Sequence, residues 1–317
     1  MYLAKKRLNL SLLPRFSPAG ASPAAGSVWH KYSRDVKIKT MIEKKLNIMA
    51  IGAHPDDCEF MFGGTALKFI DLGHRVMFMS MTNGCSGHHL EPGAATAARR
   101  FSEIQAVSEL TGIEYKMTDI PDGSLTAELR YRELLMREIR AFEPDIIFTH
   151  RPNDYHPDHR SAGTLVMDCS YLAVVPHVAP GSPPLKKAPY IFYMFDKFTY
   201  PCPFVPDIAV SVDDVMDKKT AVLDCHASQV YEWLPWVGGY AEEVPTASSQ
   251  GSGAKRLQWL KTFIGKRDAE PVEKCGTVLD RRYGKENSGK ISCCEAFQLS
   301  EYGGHIGINE MDKIFPL

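Results

Sequence analysis

Residues 46–57, Leu-Asn-Ile-Met-Ala-Ile-Gly-Ala-His-Pro-Asp-Asp, decide the fold. The first part, LNIMAIG, is apolar almost throughout and ends in a turn, so it reads as a strand buried on both faces. The chain then breaks into AHPDD, where proline stiffens the backbone, and a helical pattern over Glu59–Asp71 stops at Gly73. Working outward, the same alternation recurs. Arg75–Met81 reads as a second buried strand, closed by Asn83-Gly84. Residues 94–111 form a helical stretch through Phe101, Ile104, Val107 and Leu110, halted by Gly112. Glu114–Met117 reads as a short third strand, Glu128–Phe142 as an amphipathic helix, Asp145–Thr149 as a fourth strand and Asp158–Val174 as a helix. This alternation implies right-handed βαβ units, and hence an α/β, Rossmann-like, doubly wound and mostly parallel sheet. Beyond Pro176 the pattern weakens. Strands are expected over 190–195 and 207–211, helices over 215–227 and 255–265, and a loop over 244–253, as C-terminal decorations of one domain.

Composition narrows the class. Of 317 residues, 44% are hydrophobic and 24% charged, with a net charge of −1, as in ordinary soluble enzymes. That balance argues against nucleic-acid and membrane-surface partners, and no apolar run is long enough to predict a transmembrane helix. The eight cysteines are scattered without a C-x-x-C pair, which reads as reduced thiols and a cytoplasmic setting. No acidic residue precedes Asp35, and Ser17–Ser27 is rich in Pro, Ala, Gly and Ser. Residues 1–45 are therefore expected to be a disordered extension, either an organellar targeting segment or sequence upstream of a start at Met41. The domain is expected over 46–300, with 301–317 as a tail. A homo-oligomer is compatible with the sequence and not readable from it.

The chemistry gathers at two strand ends. The first strand runs into His54-Pro55-Asp56-Asp57, and the fourth into His150-Arg151-Pro152-Asn153-Asp154-Tyr155-His156-Pro157-Asp158-His159. In an open parallel sheet, ligands bind at the carboxyl ends of the strands that flank the switch in strand order. A catalytic zinc needs about three protein ligands and one open position, and hydrolysis needs acid/base groups beside it. Taken alone, Asp56-Asp57 would suit a helix cap, and His-x-x-His a solvated helix face. Two such clusters at matching strand ends are poorly explained by folding and point to a metal. Arg100 reads either as a substrate contact or a helix ion pair, Asp122 as a sugar contact or a turn residue, and His226 as a site-lining or an interior histidine. Trp233 and Trp236 would stack on a sugar or pack at a rim. No G-x-G-x-x-G follows the first strand, which argues against a nucleotide cofactor.

The run AHPDDCEFMFGGT, followed by HRPNDYHPDH, resembles the LmbE-like family, which includes the PIG-L N-acetylglucosaminyl deacetylases. Arg100-x-x-Glu103, Asp122-Gly123, Lys219 through His226-Ala227-Ser228-Gln229, and Cys294-Glu295-Ala296-Phe297 extend the resemblance. It implies that His54, Asp57 and His159 hold Zn2+ or another divalent ion such as Fe2+. By the same resemblance Asp56 is the general base that activates a water at the metal. His156, as imidazolium, polarises the carbonyl or protonates the leaving amine, and Asp154 orients a histidine. The implied reaction is hydrolysis of a linear amide, removing acetyl from an N-acetylglucosamine-type small molecule or glycoconjugate. Another N-acyl amidohydrolase on the same fold, or a non-catalytic binding module, remains as the alternative. Cys58 stands between Asp57 and Glu59 where the commonest motif has Glu directly after the second Asp. It reads as a core thiol at the sheet–helix interface or, less simply, as a soft ligand.

Overall fold

Burial on both faces makes Asn47–Gly52 the central strand, β1: Ile48 and Ala50 face one apolar cluster, Met49 and Ile51 the other. The structure is a computed structural model and describes residues 45–246 and 252–316. The expected extension before Lys45, the start at Met41 and residues 247–251 of the expected loop lie outside the described residues. On one side β1 pairs in parallel with β2 (Arg75–Ser80), which pairs with β3 (Glu114–Met117). On the other it pairs in parallel with β4 (Ile146–Thr149), which pairs with β5 (Tyr190–Met194). The sheet order is β3-β2-β1-β4-β5-β7-β6, so the chain leaves β1 in one direction and returns on the other side as β4. The switch point lies between them, as the two motifs require.

Four helices cover these strands: α1 (Asp57–Asp71), α2 (Gly93–Thr111), α3 (Leu129–Phe142) and α4 (Pro157–Leu172). The α1 face packs Phe62 on Phe148, with ring centroids 4.1 Å apart, while Leu135, Ile139 and Leu165 fill the opposite face. Two glycines permit close approach at the site. A Cβ on Gly52 would sit 2.7 Å from Asp57 Cβ, and one on Gly163 of α4 would sit 2.4 Å from the His150 carbonyl oxygen.

The C-terminal part has the expected strands over 190–195 and 207–211 and the expected helices over 215–227 and 255–265, and adds further elements to them. After β6 (Ile208–Ser211) come α5 (Met216–Asp224), a wide helical turn at Gln229–Trp233, α6 (Leu234–Gly238), α7 (Ser252–Lys274), α8 (Gly276–Tyr283) and α9 (Lys285–Ser288). Then β7 (Cys294–Gly303) inserts antiparallel between β5 and β6, and α10 (Ile308–Ile314) follows. The expected tail is part of the packed structure: β7 runs through residue 300 to Gly303, and Met311 and Phe315 are buried against Phe69 and Phe148. The pairing of β7 is set by partners some 90 residues away, which no local pattern reveals. A fully buried Lys219 ties the late elements to α1. Its Nζ lies 2.7 Å from both Asp268 Oδ2 and Glu295 Oε1 and donates to the Phe60 carbonyl, while Glu295 accepts from the Gly64 and Thr65 amides. No helix among the described residues is long and apolar enough to cross a membrane.

Candidate metal centre

The turn leaving β1 carries His54 and Asp57, and the first turn of α4 carries His159. Their donor atoms converge. His54 Nδ1 lies 3.2 Å from His159 Nε2 and 3.6 Å from Asp57 Oδ2, and His159 Nε2 lies 3.5 Å from Asp57 Oδ1. Ligands about 2.1 Å from a tetrahedral zinc would stand about 3.4 Å apart, so two imidazole nitrogens and a carboxylate fit one divalent ion. Each of the three is held from behind. Asp57 Oδ2 accepts from the Ala53 and His54 amides at 2.9 and 2.8 Å and lies 3.0 Å from His150 Nε2. His159 Nδ1 faces Asp154 Oδ1 at 3.1 Å. His54 Nε2 lies 3.1 Å from Asp122 Oδ1 and 3.4 Å from Asp158 Oδ2. Such rear partners set the ring tautomer and strengthen the ligand.

The electrostatics describe a place for a cation. Burial would raise the Asp57 carboxyl, but His159 and His150 outweigh it and hold it well below the usual carboxylate range. Burial works against the His54 cation, yet Asp122, Asp158 and Asp57 draw its proton affinity well above the ordinary imidazole value. His159 is raised likewise against its own desolvation, by Asp57 and Asp154.

Beside this cluster stands Asp56, buried and with φ of 155°, a backbone conformation that side-chain-bearing residues rarely adopt. Its Oδ2 lies 3.2 Å from Nη2 of the buried Arg100, which also donates to the Pro55 carbonyl. Burial raises the Asp56 carboxyl, Arg100 opposing, and this moves it toward the range useful for a base near neutrality. His156 meets His54 edge-on, ring centroids 4.5 Å apart. Its Nδ1 accepts from the Asp158 amide at 3.2 Å, leaving Nε2 to carry the proton. Burial, then His54 and His159, lower its affinity for a second proton. The sequence reading made His156 an imidazolium; its surroundings favour a neutral N–H donor.

The remaining residues divide cleanly. Asp154 stands behind His159, Arg100 grips Asp56, and Asp122 reaches His54; all three line the same cavity. His226 does not. It is fully buried, its Nε2 2.7 Å from Glu59 Oε1, and the cavity wall excludes it. Its site-lining reading is corrected, since a carboxylate as deeply buried as Glu59 needs a partner of this kind. Cys58 packs among Ile48, Ala50 and Phe62, and burial pushes its thiol pKa up, away from the thiolate a metal needs. Sequence reasoning quoted His150 and Asp158 without assigning them work. His150 is buried, clamps Asp57 and stacks on His159 at 4.1 Å; Asp158 accepts from the Gly123 and Leu125 amides and faces His54. Their signal was position alone: one ends β4, the other precedes a ligand. At the site the groups within ligand spacing overlap, as His54–His156–His159, Asp57–His150–His159 and His54–Asp122–Asp158; away from it His88, Glu91 and Glu232 also approach, but Arg99 already binds both carboxylates.

The ligand set opens into a cavity of about 900 Å³. Fold and site together define an α/β protein with a His/Asp cluster that could hold a metal ion at the switch point of its sheet. Residues 49–170 match the family described as PIG-L: GlcNAc-PI de-N-acetylase. It is 29% identical to the diacetylchitobiose deacetylase of Thermococcus kodakarensis over 64% of this chain and 78% of that protein. It is 24% identical to the 4-oxalmesaconate hydratase of Pseudomonas putida over 62% of this chain and 78% of that one. Among solved structures, the N,N'-diacetylchitobiose deacetylase of Pyrococcus horikoshii aligns with a TM-score of 0.61 at 21% identity, covering 90% of this chain and 95% of that one.

Proposed function

We propose that this chain is a metal-dependent N-deacetylase that hydrolyses the acetamide of an N-acetylglucosamine-type sugar or glycoconjugate, with zinc held by His54, Asp57 and His159. The observation that supports this reading is the convergence of three side chains, His54 Nδ1 and His159 Nε2 3.2 Å apart and each within 3.6 Å of an Asp57 carboxylate oxygen, with Asp56 and His156 on the same cavity. The 29% identity to a diacetylchitobiose deacetylase supports the choice of substrate. A divalent ion bound there supplies Lewis-acid polarisation of the carbonyl and acidifies water. The residues do the rest. Asp56 takes the proton of the attacking water on its carboxylate, and Arg100 keeps that carboxylate aimed. His156 donates from Nε2–H to the carbonyl oxygen as negative charge develops on it. The proton stored on Asp56 then passes to the departing nitrogen, which leaves as an amine with acetate as the second product. A cytoplasmic setting fits the eight unpaired thiols.

One experiment tests the reading. Purified protein is loaded separately with Zn2+ and Fe2+, its metal content is measured, and acetate and free amine are assayed with N-acetylglucosamine and N,N'-diacetylchitobiose. Equimolar acetate and amine from metal-loaded protein is the expected result. The relatives include a hydratase, so loaded protein that releases no acetate but hydrates an unsaturated dicarboxylic acid would overturn the proposal. Protein that retains no metal and turns nothing over would make it a binding module.

A further inference from the structure

The cavity changes character along its length. Next to the ligands its wall is polar: Asp56, Arg100, Asp122 and His156, with Ser86 and Gln229 behind them. Farther out the aromatic and apolar side chains Phe60, Phe195, Phe198, Trp233, Leu234 and Phe263 share the wall with the charged Lys197, Lys266, Arg267 and Glu270. Except for Phe60 the aromatic and apolar side chains are half-buried, which leaves apolar surface facing the cavity. The stretch of α7 along the wall, from Phe263 to Pro271, spans about 12 Å at 1.5 Å per residue, more than twice the width of a sugar ring. A volume of about 900 Å³ is near the upper end for small-molecule sites, more than one monosaccharide fills. The aromatic wall is also braced before any ligand arrives. Trp233 stacks on Trp236 with centroids 5.4 Å apart, and Trp236 lies almost coplanar on His89 at 4.6 Å. A wall fixed in advance loses little side-chain freedom on binding.

Building on the deacetylase reading, we infer that this outer lobe is a second subsite, and that it takes a flat apolar group joined to the acetamido sugar. The substrate is then an N-acetylated glycoside with an aromatic or similarly apolar aglycone. Polarity orients it: the acetamide and hydroxyls meet the charged inner wall, and the aglycone lies against Trp233 and Phe263. Stacking on aromatic faces and removal of apolar surface from water supply the preference.

The test compares kcat/KM for acetate release from free N-acetylglucosamine, N,N'-diacetylchitobiose, phenyl and naphthyl N-acetylglucosaminides, and N-hexanoylglucosamine, using metal-loaded protein. The aryl glycosides should exceed the free sugar by about tenfold or more, mainly through KM. Phe263→Ala and Trp233→Ala should each shrink that ratio several-fold while circular dichroism and metal content stay at wild-type values. Equal kcat/KM for aryl glycoside and free sugar would overturn the inference, as would a preference for the disaccharide. Faster release of hexanoate than of acetate would place an acyl chain in the lobe and overturn it too. Absence of acetate from every substrate would instead overturn the deacetylase reading itself.

Discussion

Residues 45–172 and 173–316 are built on different terms. The first part is four parallel strands with their helices, and every proposed ligand and base lies in two short runs, 54–57 and 150–159, at neighbouring strand ends. The second part supplies no ligand. It contributes an antiparallel strand, the buried Lys219–Asp268–Glu295 network and most of the outer cavity wall. Reactive groups can be grouped by a few residues of chain because strand ends fix them side by side. The shape of what surrounds them needs segments that meet only after the whole sheet has formed.

Substitutions can break or sharpen this contrast. The largest effect is expected in the first part, on chemistry. Asp56→Asn should lower kcat by about 100- to 10,000-fold with metal still bound one to one, while His159→Ala should lose the metal itself. If elemental analysis found metal falling equally in both, the separation of base from ligand would fail. Next comes the second part, on stability. Lys219→Met leaves the buried Asp268 and Glu295 carboxylates without the ammonium between them, and should cost about 3–5 kcal/mol in denaturant unfolding, with metal content unchanged in the protein that remains folded. A loss below 1 kcal/mol would show that the network is not what joins the two parts. Smaller again is His150→Phe, which keeps a ring against His159 but removes the contact to Asp57. Metal affinity should fall by about 10- to 100-fold, read by competition with a chelating dye. Smallest is Arg75→Ala. The Arg75–Glu114 pair is half-exposed on β2 and β3, and its removal should change stability by about 1 kcal/mol or less.

The legibility of the sequence follows the same division. β1 to β4 were readable because strands buried on both faces are written as short apolar runs, and their boundaries lie within a residue or two of expectation. That the runs 54–57 and 150–159 face one another was inferable from strand-end position plus the strand-order rule, whereas the choice of His54, Asp57 and His159 among them came from the family resemblance. His226 was misread because a buried histidine and a site histidine look alike in sequence; only the 2.7 Å contact with Glu59 separates them. The donor to His156 Nδ1, one backbone amide of α4, leaves no trace in the sequence, so the hydrogen bonding of this ring was not readable there. Residues 294–303 were noted only as a short motif, since a strand whose partners lie on either side of long helical insertions leaves no local signature of its pairing.

By itself, then, the amino-acid order determined the parallel half of the sheet and which side chains meet at its carboxyl edge, because periodicity and strand direction are local properties. Tertiary structure alone decided which amide meets His156 Nδ1, the partners of the buried charges and the aromatic side chains that share one cavity with His54, Asp57 and His159. Those depend on distances between segments that the chain brings together only when it is folded.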